Sequence, residues 1–548
     1  MTIHSVYPPS SRPIVMGVNG MVSAGHPLAS MAGVRVLAEG GNAFDAAVAV
    51  AATLCVVEPY HSGPGGTGVA LLRLGGESRS RVLDFAGRTA EALDPSRYTE
   101  ETKDVGILAP LVPGNVAGWL ELHRKHGTLD LERLLQPAID YAENGFPITY
   151  QNSAVIAEFA DRLRPFPSSA AILLDRQLRA PGPGTRLRCP QLAASLRIIA
   201  QQGRDAFYTG ELAQRIVANV QEMGGFLTLD DFAHYEAEWQ DPIDIEYRGY
   251  QVFAPPLPSC GFQALQHLKL MERFDSRELV FHSADSVHAV IEAAKLCATD
   301  RIAYAGDPEH VDPPLDILLS AQYAATQKER INRNTAALVP GESYSSDRPL
   351  GALSAGDLRL SGGGNTTHFE VADRDGNAVG ITQTLGGYFG CGVAPGDSGI
   401  FLNNMTIMAD LDEGAPNRLG PGRRVAHPLA PTQTFRDGRL VLSLGMPGGW
   451  AILQRTVQIL INFLDFEMDV QQAIEAPQFR LYSGRDVHFE ERLPVQVRRE
   501  LEARGHQLNI LEAWSLRVSG AQAIHLDAES GVYLSGCDTR RDGYAIGL

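Results

Sequence analysis

Apolar and polar positions repeat with two different periods along this chain, and the change of period divides it. Near the N-terminus the spacing is helical: Leu28, Met31, Val34 and Leu37-Ala38 form one stripe, which Gly40-Gly41 ends. Asn42 is placed to cap a second helix. Ala43 to Val57 is apolar nearly all round, which predicts a buried helix. Val69–Leu72 and Arg81–Phe85 read as strands, entered through a tight glycine turn at Ser62 to Gly66. From about 150 to 332 the spacing is mostly helical. Residues 333 to 365 are rich in Gly, Ser, Asn and Pro and carry little periodicity, so they read as a flexible lead-in.

At Thr366 the period becomes two. Thr366, His368 and Glu370 fall on one face of a strand, Thr367, Phe369 and Val371 on the other. Asp375-Gly376 is a hairpin signal, and Ala378 to Leu385 returns as the second strand. Beyond a Gly- and Pro-rich loop (414 to 431) come a strand-turn-strand around Asp437-Gly438 and the turn Met446 to Trp450, which opens a helix to about Leu464. Helices near 469–476 and 494–504 and strands near 521–526 and 531–535 close the chain. Strands with helical layers on both sides suit a four-layer αββα sandwich.

A threonine that starts a strand behind Gly362-Gly363-Gly364-Asn365 has a chemical use. Its hydroxyl can attack the preceding carbonyl, cut the chain, and leave one residue that holds both a nucleophile and a free amine base. Such an amine starts with a pKa of about 8, near working pH. On pattern alone, a loop feeding a hairpin is the commoner explanation of such a stretch.

The stretch resembles the processing site of the gamma-glutamyltranspeptidase (glutathione hydrolase) family of N-terminal-nucleophile (Ntn) hydrolases. Thr366-Thr367-His368-Phe369, Asp375 to Val379, Thr382 to Thr384, Phe389-Gly390-Cys391-Gly392, Asp397-Ser398-Gly399 and Leu402-Asn403-Asn404 follow that family's order. The likeness runs from about residue 15 to 540. It implies an αββα Ntn sandwich with an added helical region at about 150–332 and a flexible lead-in at 333–365. It also implies cleavage between Asn365 and Thr366, giving a large chain 1–365 and a small chain 366–548 that together make one fold. Thr366 would be the nucleophile and Thr384 its hydrogen-bond partner. Gly448 and Gly449 of the Pro-Gly-Gly turn would hold the oxyanion. Cys391 takes a small-residue position and reads as packing. The implied partners are a small-molecule amide substrate and the chain's own two halves as a heterodimer, with no cofactor.

The departures from the family pattern concern the glutamyl head. The family grips its α-carboxylate with an arginine after Asp-aromatic, but here Ala86-Gly87 follows Asp84-Phe85 and Arg88 lies two places late. A serine pair is replaced by His427-Pro428, and an asparagine by Gly386. After Asn403-Asn404 come Met405, Thr406, Ile407 and Met408 where the family has an acid; Asp410 and Asp412 are the nearest carboxylates. A zwitterion needs its charges paired, so a different acyl group is expected. Arg88, Asn404, Met405, Met408 and His427 are the candidate substrate contacts. His427 also fits an exposed loop histidine. The other readings are a true glutathione hydrolase that rebuilds its grip, an oxamate-type amidohydrolase, a cephalosporin-type acylase, a C–C bond hydrolase, and an unprocessed binding protein.

Composition narrows the partners. A net charge of -17 argues against nucleic acid and anionic membranes. No run of about 18 apolar residues is present, and the first seventeen residues lack the features of a secretory signal. Six cysteines without paired spacing suggest a reduced, cytoplasmic protein. No CxxC, HExxH or EF-hand pattern occurs, so no dedicated metal site is expected.

Overall fold

The computed structural model describes residues 10–337 and 366–548, apart from Ser519. Two seven-stranded antiparallel sheets face each other. The first runs, edge to edge, Tyr544–Gly547, Gly20–Ala24, Thr366–Asp373, Ala378–Thr384, Thr67–Arg73, Arg81–Phe85 and Glu238–Gln240. The second runs Val15–Gly17, Tyr533–Cys537, Gln522–Leu526, Arg439–Gly445, Thr432–Arg436, Tyr250–Ala254 and Ile243–Tyr247. Helices Pro27–Ala38, Ala43–Val57 and Asn115–His126 cover the first sheet. Gly261–Met271, Ile452–Leu464 and Val470–Glu475 cover the second. The result is the αββα order.

The helix Ala43–Val57 is buried at every position, as its uniform apolarity requires. Asn42 caps it, with Oδ1 accepting from the N–H groups of Phe44 and Asp45, both at 2.9 Å. Asp373, at the end of the threonine strand, accepts from Ala43 N at 2.8 Å and so ties that strand to the helix start.

The strand Thr366–Asp373 is buried on both faces. Phe369 and Val371 pack in one core with Phe44, Val48 and Val50. On the other face Glu370 joins the sheets. It accepts from Ser443 Oγ of the second sheet at 2.6 Å and pairs with His368 Nε2 at 2.9 Å. The His368 ring fills the space over Gly445, where a Cβ would lie 2.2 Å from Cε1. Glu370 therefore stands level with Ser443 and His368 with Gly445. Arg541, which donates to the Thr366 carbonyl, runs past Gly520 beside Pro447, so the Pro-Gly-Gly turn lies near the start of this strand.

The mostly helical reading of 150–332 is corrected in one place. Glu238–Gln240, Ile243–Tyr247 and Tyr250–Ala254 are strands that complete the edges of both sheets. Their signal is a two-residue hairpin: Arg248 and Gly249 have φ of 49° and 81°. The rest of the region divides by role. Val155, Ile156, Leu163 and Leu173 pack on Leu385, Phe389, Ala394 and Phe401 of the loop after the hairpin, while later helices cover the second sheet. A separate three-stranded sheet (Phe479–Ser483, Asp486–Glu490, Gln507–Leu511) and the last strand, Tyr544–Gly547, were not anticipated.

Candidate active site

The hairpin register sets the centre of the site. Thr366 pairs directly with Thr384, and their hydroxyl oxygens are 3.2 Å apart. Thr384 Oγ1 also accepts from Gly386 N at 2.8 Å, which orients it toward Thr366. Thr67 continues the same row on the next strand. Asn365, the other residue of the expected scissile bond, lies outside the described residues.

The Pro447–Gly449 turn lies at this end of the sandwich. Gly448 and Gly449 have φ of 146° and 56°, a conformation that favours glycine. Among the described residues, a Cβ at Gly449 would meet nothing within 4 Å. A 3-10 turn and then the helix Ile452–Leu464 follow directly. Backbone N–H groups at such a turn are free to face an anion.

Three residues from distant segments close in on the threonine, and sequence reasoning missed all of them. Glu58 ends the buried helix and accepts from the Thr367 hydroxyl at 2.7 Å. His61 Nδ1 lies 3.3 Å from Glu58 Oε1, off the line of a hydrogen bond. Arg541, near the C-terminus, donates to the Thr366 carbonyl oxygen and to His61 Nε2, each at 3.3 Å. Burial pushes the His61 pKa down; Glu58 pulls against this and Arg541 adds to it, so the imidazole is neutral. The ring of Tyr388 stands between those of His61 and Phe159, at centroid distances of 5.7 and 4.4 Å. The Glu58-Pro59 signal marked the family likeness but gave no hint of a link to a residue 480 positions away.

The candidate substrate contacts are placed as follows. Arg88 lies between Glu309 and Glu238, at 2.7 and 3.2 Å, and Arg424 grips the same two carboxylates from the other side. Burial opposes its charge, and the two carboxylates more than restore it, so its pKa rises. Asn404 is buried. It donates to the Asp104 side chain and carbonyl and accepts from Gly387 N at 2.6 Å, which fixes the loop. A Cβ on Gly386 would lie 2.3 Å from Asn404 Oδ1, so a side chain there requires the Asn404 amide to move. Met405 is in the core, and Met408 is half-buried where the two cores meet. His427 is not an exposed loop residue. It is wholly buried, its backbone pairs with Pro258 and Cys260, and burial lowers its pKa to about 3. Asp412 is exposed and caps its own turn through Gly414 N. Cys391 is buried, with its thiol pushed up to about 12 by burial.

Away from the site, His288, Glu292 and His506 come together in the interior. His288 Nδ1 already bonds His506 Nε2 at 2.8 Å, and the Lys295 ammonium sits on Glu292 at 2.6 Å, supplying the cation there.

The chain matches the family model described as gamma-glutamyltranspeptidase over residues 29–548. It is 36% identical to the glutathione hydrolase-like YwrD proenzyme of Bacillus subtilis (strain 168), covering 97% of this chain and 99% of that one. It is also 36% identical to the acylase ACY 1 proenzyme of Pseudomonas sp. (strain SE83), covering 97% and 94%. The crystal structure of cephalosporin acylase from Bacillus halodurans superposes with a TM-score of 0.90 at 31% identity, covering 100% of this chain and 99% of that one. With an αββα sandwich and a Thr366–Thr384 pair at its centre, this chain belongs to the gamma-glutamyltranspeptidase family and is an autoprocessing Ntn hydrolase.

Proposed function

We propose that this protein cuts itself between Asn365 and Thr366 and then hydrolyses a small amide through an acyl ester on Thr366 Oγ1. The observation that carries this reading is the 3.2 Å contact between the Thr366 and Thr384 hydroxyls at the head of a doubly buried strand. In the mature enzyme the Thr366 amine takes the hydroxyl proton as Oγ1 attacks the amide carbonyl. The N–H groups of Gly448 and Gly449 hold the oxyanion, the amine part leaves with a proton, and water releases the acid. The two chains stay together because the Thr366–Asp373 strand lies inside a sheet built from both.

The acyl group in this reading is not γ-glutamyl. A glutamyl head brings an ammonium and a carboxylate that need partners. Arg88 is already matched by two carboxylates, Gly386 has no side chain where the family has an asparagine, and Met405 and Met408 stand where the family has an acid. The acylase relatives support an amide with a less charged acyl chain, of the cephalosporin side-chain type. We also place the protein in the cytoplasm, on the strength of six cysteines that are all unpaired and buried. Among the described residues no helix is long and apolar enough to cross a membrane.

The test compares purified, processed protein on a γ-glutamyl anilide and on a cephalosporin carrying an uncharged acyl side chain. The expected result is turnover of the second, with kcat/KM on the γ-glutamyl compound at least about 100-fold lower, the cost of leaving charges unpaired. Arg88→Ala is expected to change kcat/KM on the preferred amide by less than about tenfold, because its charge is engaged elsewhere. Faster γ-glutamyl turnover, lost in Arg88→Ala, would instead establish a glutathione hydrolase.

A further inference from the structure

The C-terminal segment brings a fixed cation to the threonine. Arg541 is buried, and its aliphatic stem runs past Gly520 beside Pro447: a Cβ on Gly520 would meet Arg541 Cδ at 2.6 Å and Pro447 Cγ at 2.8 Å. Its Nη1 ends on the Thr366 carbonyl oxygen and on His61 Nε2. Because a guanidinium only donates, His61 Nε2 must be the bare nitrogen. Nδ1 then carries the hydrogen and faces Glu58 Oε1. Glu58 in turn holds the hydroxyl of Thr367, whose side chain points to the other face of the strand. The backbone carbonyl of residue 366 and the side chain of residue 367 are thus held by one succession of contacting residues, Arg541, His61 and Glu58.

We propose that Arg541 is a positioning residue: it clamps the carbonyl of the mature N-terminal residue and, as a cation beside the freed amine, holds that amine in its basic form. This goes beyond the reading of Thr366 as nucleophile and rests on it. A residue's own nitrogen lies about 3 Å from its carbonyl oxygen. The guanidinium therefore sits within the distance at which a like charge disfavours a second positive group. An ammonium cannot accept the hydroxyl proton, so this repulsion favours the catalytic state.

His26, His61, Tyr60 and Tyr388 lie near residues 366 and 367 and do not supply that charge at neutral pH. Burial pushes His26 down to about 4 and lowers His61; Tyr60 and Tyr388 are neutral phenols held up by burial. His368, on the same face as Thr366, is directed at Thr382 and Glu370. Two carboxylates oppose the effect. Glu58 is bonded on the far face, and Asp542 takes the Thr149 hydroxyl.

The test uses full-length wild type, Arg541→Met and Arg541→Lys. Each is checked by mass for a small chain that begins at Thr366. The pKa of its amine is then read by pH-dependent competitive acetylation, which needs no substrate, and kcat/KM is followed from pH 5 to 9. Expected for Arg541→Met are an amine pKa and an acid limb about one pH unit higher, hence about tenfold less activity near pH 6 and little loss near pH 9. Arg541→Lys keeps the charge and is expected to keep the wild-type limb. An unmoved amine pKa in a processed Arg541→Met protein, or a Lys variant shifted like the Met variant, overturns the proposal. If Arg541→Met stays uncut, Arg541→Lys alone decides: a cut chain with the wild-type limb supports the proposal, and a shifted limb refutes it. A wild-type small chain that starts elsewhere would sink the nucleophile reading instead, so the two failures are distinguishable.

Discussion

Thr366→Ala protein is expected to purify as a single 59.2 kDa chain with no amide turnover above blank, whereas wild type separates on a denaturing gel into two. Scaling by length gives about 39 and about 20 kDa for the two pieces. The expectation follows from one oxygen atom having two successive jobs. In the proposed reaction Thr366 Oγ1 attacks the carbonyl before it in the precursor and the substrate in the mature enzyme. The variant leaves the hairpin pairing intact, because alanine fits the space of threonine, and removes only the hydroxyl 3.2 Å from Thr384. The expected loss of kcat is on the order of 10^4-fold or more, as for other nucleophile deletions. Thr366→Ser keeps an Oγ and is expected to process. Mass spectrometry of the denatured proteins reads both outcomes, and a fully cut Thr366→Ala chain would remove Thr366 from the chemistry.

The second large effect is on the joint between the sheets. Glu370→Ala is expected to lower unfolding free energy by about 3–5 kcal/mol and to slow processing. Glu370 is wholly buried and is the acceptor for both Ser443 Oγ and His368 Nε2. Its removal strands two polar groups in a site closed to water, which costs more than the bonds themselves contribute. Processing suffers because the same contacts hold His368 over Gly445 and so set the height of Thr366 against the Pro447–Gly449 turn. Glu370→Gln retains one acceptor oxygen and is expected to fall between wild type and alanine. Chemical denaturation and a time course of chain cleavage measure the two parts. A stable Glu370→Ala protein with slow cleavage would show that the joint serves geometry alone.

Much of the fold is legible in local pattern. The period of two from Thr366 to Val371, Asp375-Gly376 and the uniform apolarity of Ala43–Val57 each name their own element. That is because the side chains that decide a strand, a turn or a buried helix lie within that segment. The short hairpin strands at 243–254 were hidden because several of their positions are polar and lie outside the core. The Arg248-Gly249 turn was their one clear mark.

The site divides along the same line. The sequence by itself determined where a nucleophile could arise: a threonine at a strand start behind glycines, a threonine opposite it across a hairpin, and a Pro-Gly-Gly turn ahead of a helix. Only the tertiary structure decided what surrounds them. Glu58, His61 and Arg541 meet at residues 366 and 367 because the Tyr544–Gly547 strand returns to pair with Gly20–Ala24, beside the threonine strand. Arg88, by residue type a candidate carboxylate grip, is instead matched by Glu238 and Glu309, and Asn404 Oδ1 sits beside Gly386, 2.3 Å from where a Cβ would lie. The physical reason is common to all of these. Burial makes an unpaired charge or an overlapping atom expensive, and the partner that relieves it is chosen by which segments the fold brings into contact, not by their spacing along the chain.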